Sequence, residues 1–165
     1  MNLTHHPYRY FSSKNKLLEI WGETLSLLAN QKIIKVYGVW DNDYNEWFEE
    51  CPMIIQSDLG YLTINVKCEK DMSLGWNDID INEKPVWFNK EEYKETIEGL
   101  NWKEDLEWKE YEKVSNVKEK IIREINIIGD TTNVTGIIFM LEDKSSLIVE
   151  DVGDVISAYI RYKVN

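Results

Sequence analysis

Two stretches of this chain consist of short runs of β-branched and aromatic residues separated by polar turn residues. The first stretch begins at Gln31 and the second at Val117. Such runs favour pleated strands, and the short turns between them favour antiparallel neighbours. We therefore predict an α+β fold with a mostly antiparallel sheet, in which two meanders pack on each other or on a helix.

A helix is predicted before the first strand-rich stretch, over residues 15–30. Apolar side chains recur there at steps of three and four residues: Leu17, Leu18, Trp21, Leu25 and Leu28. Ser12 or Ser13 is a suitable N-cap. A second helix is predicted over residues 90–98, ending at Gly99. Residues 100–113 fit either a helix or a strand.

The two strand-rich stretches also align with each other. Met53–Asn65 matches Ile138–Glu150 without a gap, and upstream Lys32–Lys35 matches Lys120–Arg123. One hypothesis is a single domain, residues 1–165, with an internal repeat of residues 31–80 and 119–160. The alternative is that two unrelated hairpins with an aspartate in the turn look alike, since two copies are a weak basis for a repeat.

The charge of the chain restricts the partners that it can bind. Asp and Glu number 30 and Lys and Arg number 19, so the formal net charge is −11. Only three of the basic residues are arginine, whereas phosphate-binding surfaces need clustered cations. We expect no nucleic acid and no anionic membrane as partner, and a basic protein as the kind that is attracted.

The sequence also predicts a cytoplasmic protein. It begins without the basic and apolar regions of a signal peptide, and no apolar run reaches the roughly 18 residues of a membrane-spanning helix. Cys51 and Cys68 are the only cysteines, and their spacing fits neither a metal site nor a disulfide-rich secreted domain. We expect both thiols to be reduced.

Catalytic and metal-binding patterns are incomplete. Asp41, Asp43 and Asn45 begin like a calcium loop, but Glu46 stands where a glycine is needed and Pro52 where a bidentate glutamate is needed. The only two histidines are adjacent, and no glycine-rich phosphate loop is present. We therefore predict no metal, no cofactor and no enzymatic activity.

Acidic side chains alternate with aromatic ones in two segments, residues 41–50 and 90–113. Aromatic rings supply anchor area at an interface, and carboxylates accelerate the encounter with a basic partner. A solvated charged face and a buried core position are the ordinary fates of such residues. The candidate contact surface consists of Asp41, Asp43, Glu46, Trp47, Glu49 and Glu50.

In size, charge, tryptophan content and strand-rich organisation, the whole chain resembles the small acidic immunity proteins with which bacteria neutralise toxins. No motif of that class is matched residue by residue. The resemblance implies a stoichiometric inhibitor of a basic toxin domain, without catalysis, and the Asn, Lys and Ile content fits a low-GC bacterial genome.

Two other classes of function remain open. One is a small-molecule-binding domain with an aromatic-lined pocket, for which Trp21, Trp40 or Trp76 are candidate walls. The other is a carboxylate-dependent enzyme, which needs an acid with a raised pKa inside a cleft. A third alternative is a domain that mainly self-associates, which the net charge of −11 opposes at low salt. The sequence does not predict the oligomeric state.

Overall fold

The computed structural model describes residues 9–50, 52–67, 70–85, 105–153 and 155–163. The helix expected over residues 90–98 and both cysteines lie outside these ranges. The strands are β1 (Tyr10–Phe11), β2 (Ile33–Asp41), β3 (Glu46–Trp47), β4 (Met53–Ser57), β5 (Gly60–Lys67), β6 (Asp71–Trp76), β7 (Leu106–Glu110), β8 (Ile122–Gly129), β9 (Val134–Leu141), β10 (Ser146–Asp151) and β11 (Ile156–Arg161).

The predicted helix is confirmed as α1 (Lys14–Leu28). Ser13 is its N-cap, because the side chain of Ser13 accepts a hydrogen bond from the backbone N–H of Lys16 at 3.5 Å. Within the described part of the ambiguous segment 100–113, Leu106–Glu110 forms strand β7, and a 3₁₀ helix begins at Glu112 and ends at Val117.

Two antiparallel sheets form the fold. In the first, neighbouring strands follow the order β1-β6-β5-β4-β2-β3, and β7 pairs with β2. The second is a meander of order β11-β10-β9-β8. The predicted α+β fold with mostly antiparallel sheet is therefore the observed one.

The start of β2 joins the two sheets. The N–H of Ile33 donates to the carbonyl of Lys120 at 3.0 Å, and the N–H of Ile122 donates to the carbonyl of Gln31 at 2.9 Å. Lys32 and Ile121 form an isolated antiparallel bridge at the same place. The backbone hydrogen bonding of one sheet therefore continues into the other through residues 31–33 and 120–122.

One continuous apolar core lies between the sheets and α1. It includes Leu17 of α1, Leu62 of β5 and Phe139 of β9, all fully buried. A smaller cluster, formed by Val39, Ile54, Ile79 and Leu106, lies on the opposite face of the first sheet. Part of the first sheet is therefore covered on both faces. The segment around Ile79 helps to cover the face that points away from the main core.

Strands β2, β4, β5 and β6 form a four-stranded antiparallel meander, as do β8, β9, β10 and β11. The gapless alignment places Leu62 on Leu147, and both belong to the main core. It also places Ile54 on Phe139, which lie in different clusters. The turn between β4 and β5 is shorter than the turn between β9 and β10. The alignment therefore needs a gap before the turn if residues on equivalent faces of β4 and β9 are to match.

Candidate protein-binding surface

The first part of the candidate acidic segment is the turn of the β2–β3 hairpin. Trp40 pairs with Trp47 and Asp41 with Glu46, so residues 42–45 form the turn. Asp41 is only 4% exposed, and its Oδ1 accepts hydrogen bonds from the N–H groups of Asp43, at 2.8 Å, and Tyr44, at 3.2 Å. This buried carboxylate holds the turn together and is not exposed for contact with another molecule.

Trp47 is an internal contact of the fold. Its ring lies edge-on to Trp40, with centroids 5.1 Å apart, and to Tyr111, with centroids 4.7 Å apart. It is half-buried against the main core. Aromatic pairs in this arrangement stabilise a fold beyond the area that they bury, so Trp47 positions the hairpin rather than a ligand.

Glu49 is also engaged within the chain. Its Oε1 accepts hydrogen bonds from Lys113 Nζ at 3.2 Å and from the Tyr111 hydroxyl at 3.4 Å. Burial raises the pKa of that tyrosine, which therefore stays protonated and able to donate at neutral pH. Of the remaining predicted residues, Asp43, Glu46 and Glu50 are exposed.

Strand β7 brings further carboxylates to the hairpin turn. Glu107 pairs with Trp40, and Asp105 lies immediately before the strand. The N–H of Asp105 donates to Asp43 Oδ2 at 3.1 Å, and the N–H of Asn42 donates to the Asp105 carbonyl at 2.9 Å. Both residues belong to the second acidic and aromatic segment, but the predicted contact surface does not include them. They come close to the hairpin only because β7 pairs with β2.

Lys84 balances part of this charge. Its Nζ lies 2.9 Å from Asp105 Oδ1; the Lys84 side chain is largely exposed and the Asp105 side chain is about half exposed. The hydrogen bond to Asp105 raises the pKa of Lys84, with smaller contributions from Glu107 and Asp43, and the same hydrogen bond lowers the pKa of Asp105. Lys84 and Asp105 are therefore both charged at neutral pH.

Tyr44 lies in the turn at the end of the hairpin, between Asp43 and Glu46 in the sequence. Its side chain is 68% exposed, the most exposed of the large apolar residues in the described ranges. We call Asp43, Tyr44, Glu46, Asp105 and Glu107 the acidic tip. With Lys84 beside it, the tip carries four carboxylates and one ammonium, so its net charge is negative. Glu46 and Glu107 pair with Asp41 and Trp40, which are adjacent in β2, so these two carboxylates lie on opposite faces of the sheet.

The residues named for the other sequence hypotheses make contacts within the fold. Trp21 and Trp76 are half-buried against the main core, and Lys109 Nζ lies 4.4 Å from the centroid of the Trp40 ring. The described residues contain no group of three or more His, Cys, Asp or Glu side chains arranged to hold a metal ion. Asp41 of the calcium-like segment instead accepts the backbone hydrogen bonds of its own turn.

Comparison with known proteins gives no match: no family model, no curated protein and no solved structure is significantly similar to this chain. In the part of the chain that the structure describes, no helix has the length and apolar character needed to span a membrane.

Proposed function

We propose that this chain is a non-catalytic protein-binding module that binds a basic protein through its acidic tip, as an immunity-type inhibitor of a toxin domain. The observation that carries the proposal is the 68% exposure of Tyr44 at the end of a fixed hairpin, with exposed carboxylates on the hairpin and further carboxylates on and before the neighbouring strand β7. An exposed ring bounded by charge is typical of an interface anchor with a polar rim.

The hairpin is preorganised by contacts within the fold. Asp41 fixes the turn by its two backbone hydrogen bonds, and the contact of the Trp47 ring with Tyr111 fixes β3, the strand after the turn. A rigid loop loses less conformational entropy on association than a flexible one. Tyr44 therefore offers its ring to a partner at a low entropic cost.

The ionisation of the tip favours binding over proton transfer. Among the described carboxyl groups with a displaced pKa, which are Asp105, Asp130 and Asp143, each pKa lies below its ordinary value. A general acid at neutral pH needs a raised pKa. Fixed negative charge instead steers a cationic partner and increases the rate of encounter.

The first experiment is a pull-down from a lysate of the source cell with wild-type protein and with the variant Asp43→Asn/Glu46→Gln/Glu107→Gln, at about 50 mM and about 500 mM salt. We expect the wild type to retain one basic protein at low salt and to release it at high salt. The variant should retain much less of it. Mass spectrometry identifies the captured protein.

Association kinetics with the purified partner then test the mechanism. The triple variant should lower the association rate constant at least about tenfold at low salt and reduce its salt dependence, because steering charges are lost. Tyr44→Ala should mainly increase the dissociation rate constant, because an anchor acts after encounter.

The matched control is Glu19→Gln/Glu23→Gln/Asp58→Asn, which removes the same charge from exposed positions on α1 and on the β4–β5 turn. We expect its kinetics to match those of the wild type within about twofold. Equal losses in both triple variants would show that only net charge matters, and the tip would then not be the binding surface. A captured partner that is acidic or neutral would refute the proposal as a whole.

A further inference from the structure

A second surface, far along the chain from the acidic tip, has the opposite charge. It is a cleft of about 570 Å³ on the second sheet, at the end where β9 and β10 are joined. Its lining consists of Arg123, Glu124, Met140, Leu141, Glu142, Lys144, Ser146, Arg161, Tyr162 and Lys163. Four of these side chains are cationic and two are anionic, although the whole chain has 30 acidic and 19 basic residues.

The floor of the cleft is one cross-strand row on the outer face of the sheet. Ser146 pairs with Arg161 on one side and with Met140 on the other, and Met140 pairs with Glu124. Directly paired residues point to the same face of a sheet. The row therefore runs across four adjacent strands and consists, in order, of a guanidinium on β11, a hydroxyl on β10, a thioether on β9 and a carboxylate on β8.

A β-bulge adds Arg123 to the wall. The register between β8 and β9 shifts between Ile122 and Glu124, so Arg123 is an extra residue, and both Arg123 and Glu124 are exposed. Bulges of this kind redirect a side chain. Arg123 Nη1 donates to Asn30 Oδ1 at 3.2 Å, which fixes the guanidinium beside the cleft.

The turn between β9 and β10 supplies Lys144. The turn is held by Asp143, which accepts a hydrogen bond from the N–H of Ser145 at 3.0 Å and pairs with Lys120 Nζ at 2.6 Å. Lys144 has φ of 68°, in the left-handed region, and its side chain is exposed. Its ammonium is therefore presented from a turn that is fixed by its neighbours.

Tyr162 and Met140 give the cleft an apolar surface. Tyr162 is 55% exposed and Met140 is 39% exposed. The Tyr162 hydroxyl accepts a hydrogen bond from Asn116 Nδ2 at 3.3 Å, which holds one end of the ring. An exposed ring and a thioether next to cations suit a ligand that is part apolar and part anionic.

Much of the positive charge here is not neutralised within the described part of the chain. Glu142 accepts a hydrogen bond from the N–H of Ile121 and lies 3.9 Å from Arg123. Lys144, Arg161 and Lys163 form no ion pair with any residue that the structure describes. Uncompensated cations around a concave surface repel each other, and a bound anion relieves that repulsion.

We propose that this cleft binds a small organic anion. Its carboxylate or phosphate group would contact Arg161, Lys144 and Lys163, and its apolar ring would lie on Tyr162 and Met140. A guanidinium suits such a group because it donates two parallel hydrogen bonds to oxygen atoms. The cleft volume falls within the range of small-molecule sites, about 300–1,000 Å³. This proposal does not depend on the acidic tip.

NMR titration of the full chain with phenyl phosphate, benzoate and inorganic phosphate tests whether the cleft binds an organic anion. We expect saturable shifts of the Met140 and Ser146 amides with an aromatic anion, and weaker binding of inorganic phosphate. Arg161→Gln/Lys144→Gln should weaken binding about tenfold or more, because two charge-assisted contacts are lost. Tyr162→Ala should weaken the binding of phenyl phosphate and leave the binding of inorganic phosphate unchanged. A preference between phenyl phosphate and benzoate identifies the anionic group.

The matched control is Lys16→Gln/Lys70→Gln, which removes two exposed cations from other parts of the fold and should bind as the wild type does. An equal loss in this control would overturn the proposal, because the binding would then reflect net charge alone. The absence of saturable shifts up to about 10 mM of either aromatic anion would also overturn it. So would binding of a glutamate-rich peptide without binding of the aromatic anions, which would show that the cleft accepts an acidic protein segment.

Discussion

At the scale of single residues, similar acidic side chains perform different tasks in this protein. Asp41 is buried and accepts two backbone hydrogen bonds in the hairpin turn, whereas Glu46, its partner across the hairpin, is exposed. Asp143 holds another turn, and its hydrogen bonds to Lys120 and Ser145 lower its pKa to about 2. Only some of the acids are therefore available for contact with a partner.

Asp41→Ala should destabilise the protein by about 1–2 kcal/mol, because two turn N–H groups lose their acceptor. Asp41→Asn, whose amide oxygen still accepts, should lose less. Urea unfolding monitored by circular dichroism measures the free energy of unfolding. Glu46→Ala is the matched control and should change stability by less than about 0.5 kcal/mol. Equal effects of the two alanine variants would show that Asp41 does not hold the turn.

At the scale of elements, the segment after β6 folds back on the first sheet. Thr63 Oγ1 donates to Asp78 Oδ1 at 2.8 Å, and the N–H of Asn77 donates to the Tyr61 carbonyl at 2.9 Å. Asp78 comes so close to Gly75 that a Cβ there would lie 1.9 Å from Asp78 Oδ2. Gly75 is therefore required by the close approach of the segment that follows its own strand.

Two glycine-to-alanine substitutions should have opposite effects on stability. Gly75→Ala should destabilise by about 1–3 kcal/mol, because the methyl group overlaps a buried carboxylate. Gly22→Ala should stabilise by about 0.5–1 kcal/mol, because Gly22 lies inside α1 with nothing within 4 Å of the added methyl group and alanine favours helix. Thermal and urea unfolding of both variants measure these changes, and a stabilising Gly75→Ala would contradict the contact with Asp78.

At the scale of the whole molecule, both sheets depend on one core. The main apolar cluster contains residues of α1, of the first sheet and of the second sheet, and Leu147 lies in it fully buried. The backbone also continues between the sheets where β2 begins. We therefore expect the two sheets to unfold together.

Leu147→Ala in β10 should lower the free energy of unfolding by about 2–5 kcal/mol, because it leaves a cavity in the shared core. No tryptophan follows Trp108 in the sequence, so none belongs to the second sheet, and the tryptophans among the described residues lie in α1 and the first sheet. The fluorescence transition in urea should shift as far as the circular dichroism transition does. A fluorescence transition that stays at the wild-type midpoint would show that the sheets unfold independently.

The local pattern of the sequence was sufficient for α1 and for most of the longer strands, but not for β1, β3 or β7. The apolar steps of three and four residues predicted α1, and β-branched runs predicted strands in both sheets, because these periods follow from backbone geometry alone. Residues 100–113 could not be assigned in this way. Leu106 and Trp108 become strand because β7 pairs with β2, and that partner lies more than 60 residues away in the chain.

Composition alone determined that the protein is acidic, but tertiary structure decided where its charges act. Asp41 and Trp47 belong to the predicted contact surface, yet one is buried in its own turn and the other packs against Tyr111. Asp105 joins the tip because of strand pairing, and Arg161 and Lys144 meet at one cleft because β9, β10 and β11 are neighbours. Sequence gives the number and sign of charges, whereas burial and strand register, which depend on distant contacts, decide which of them a ligand can reach.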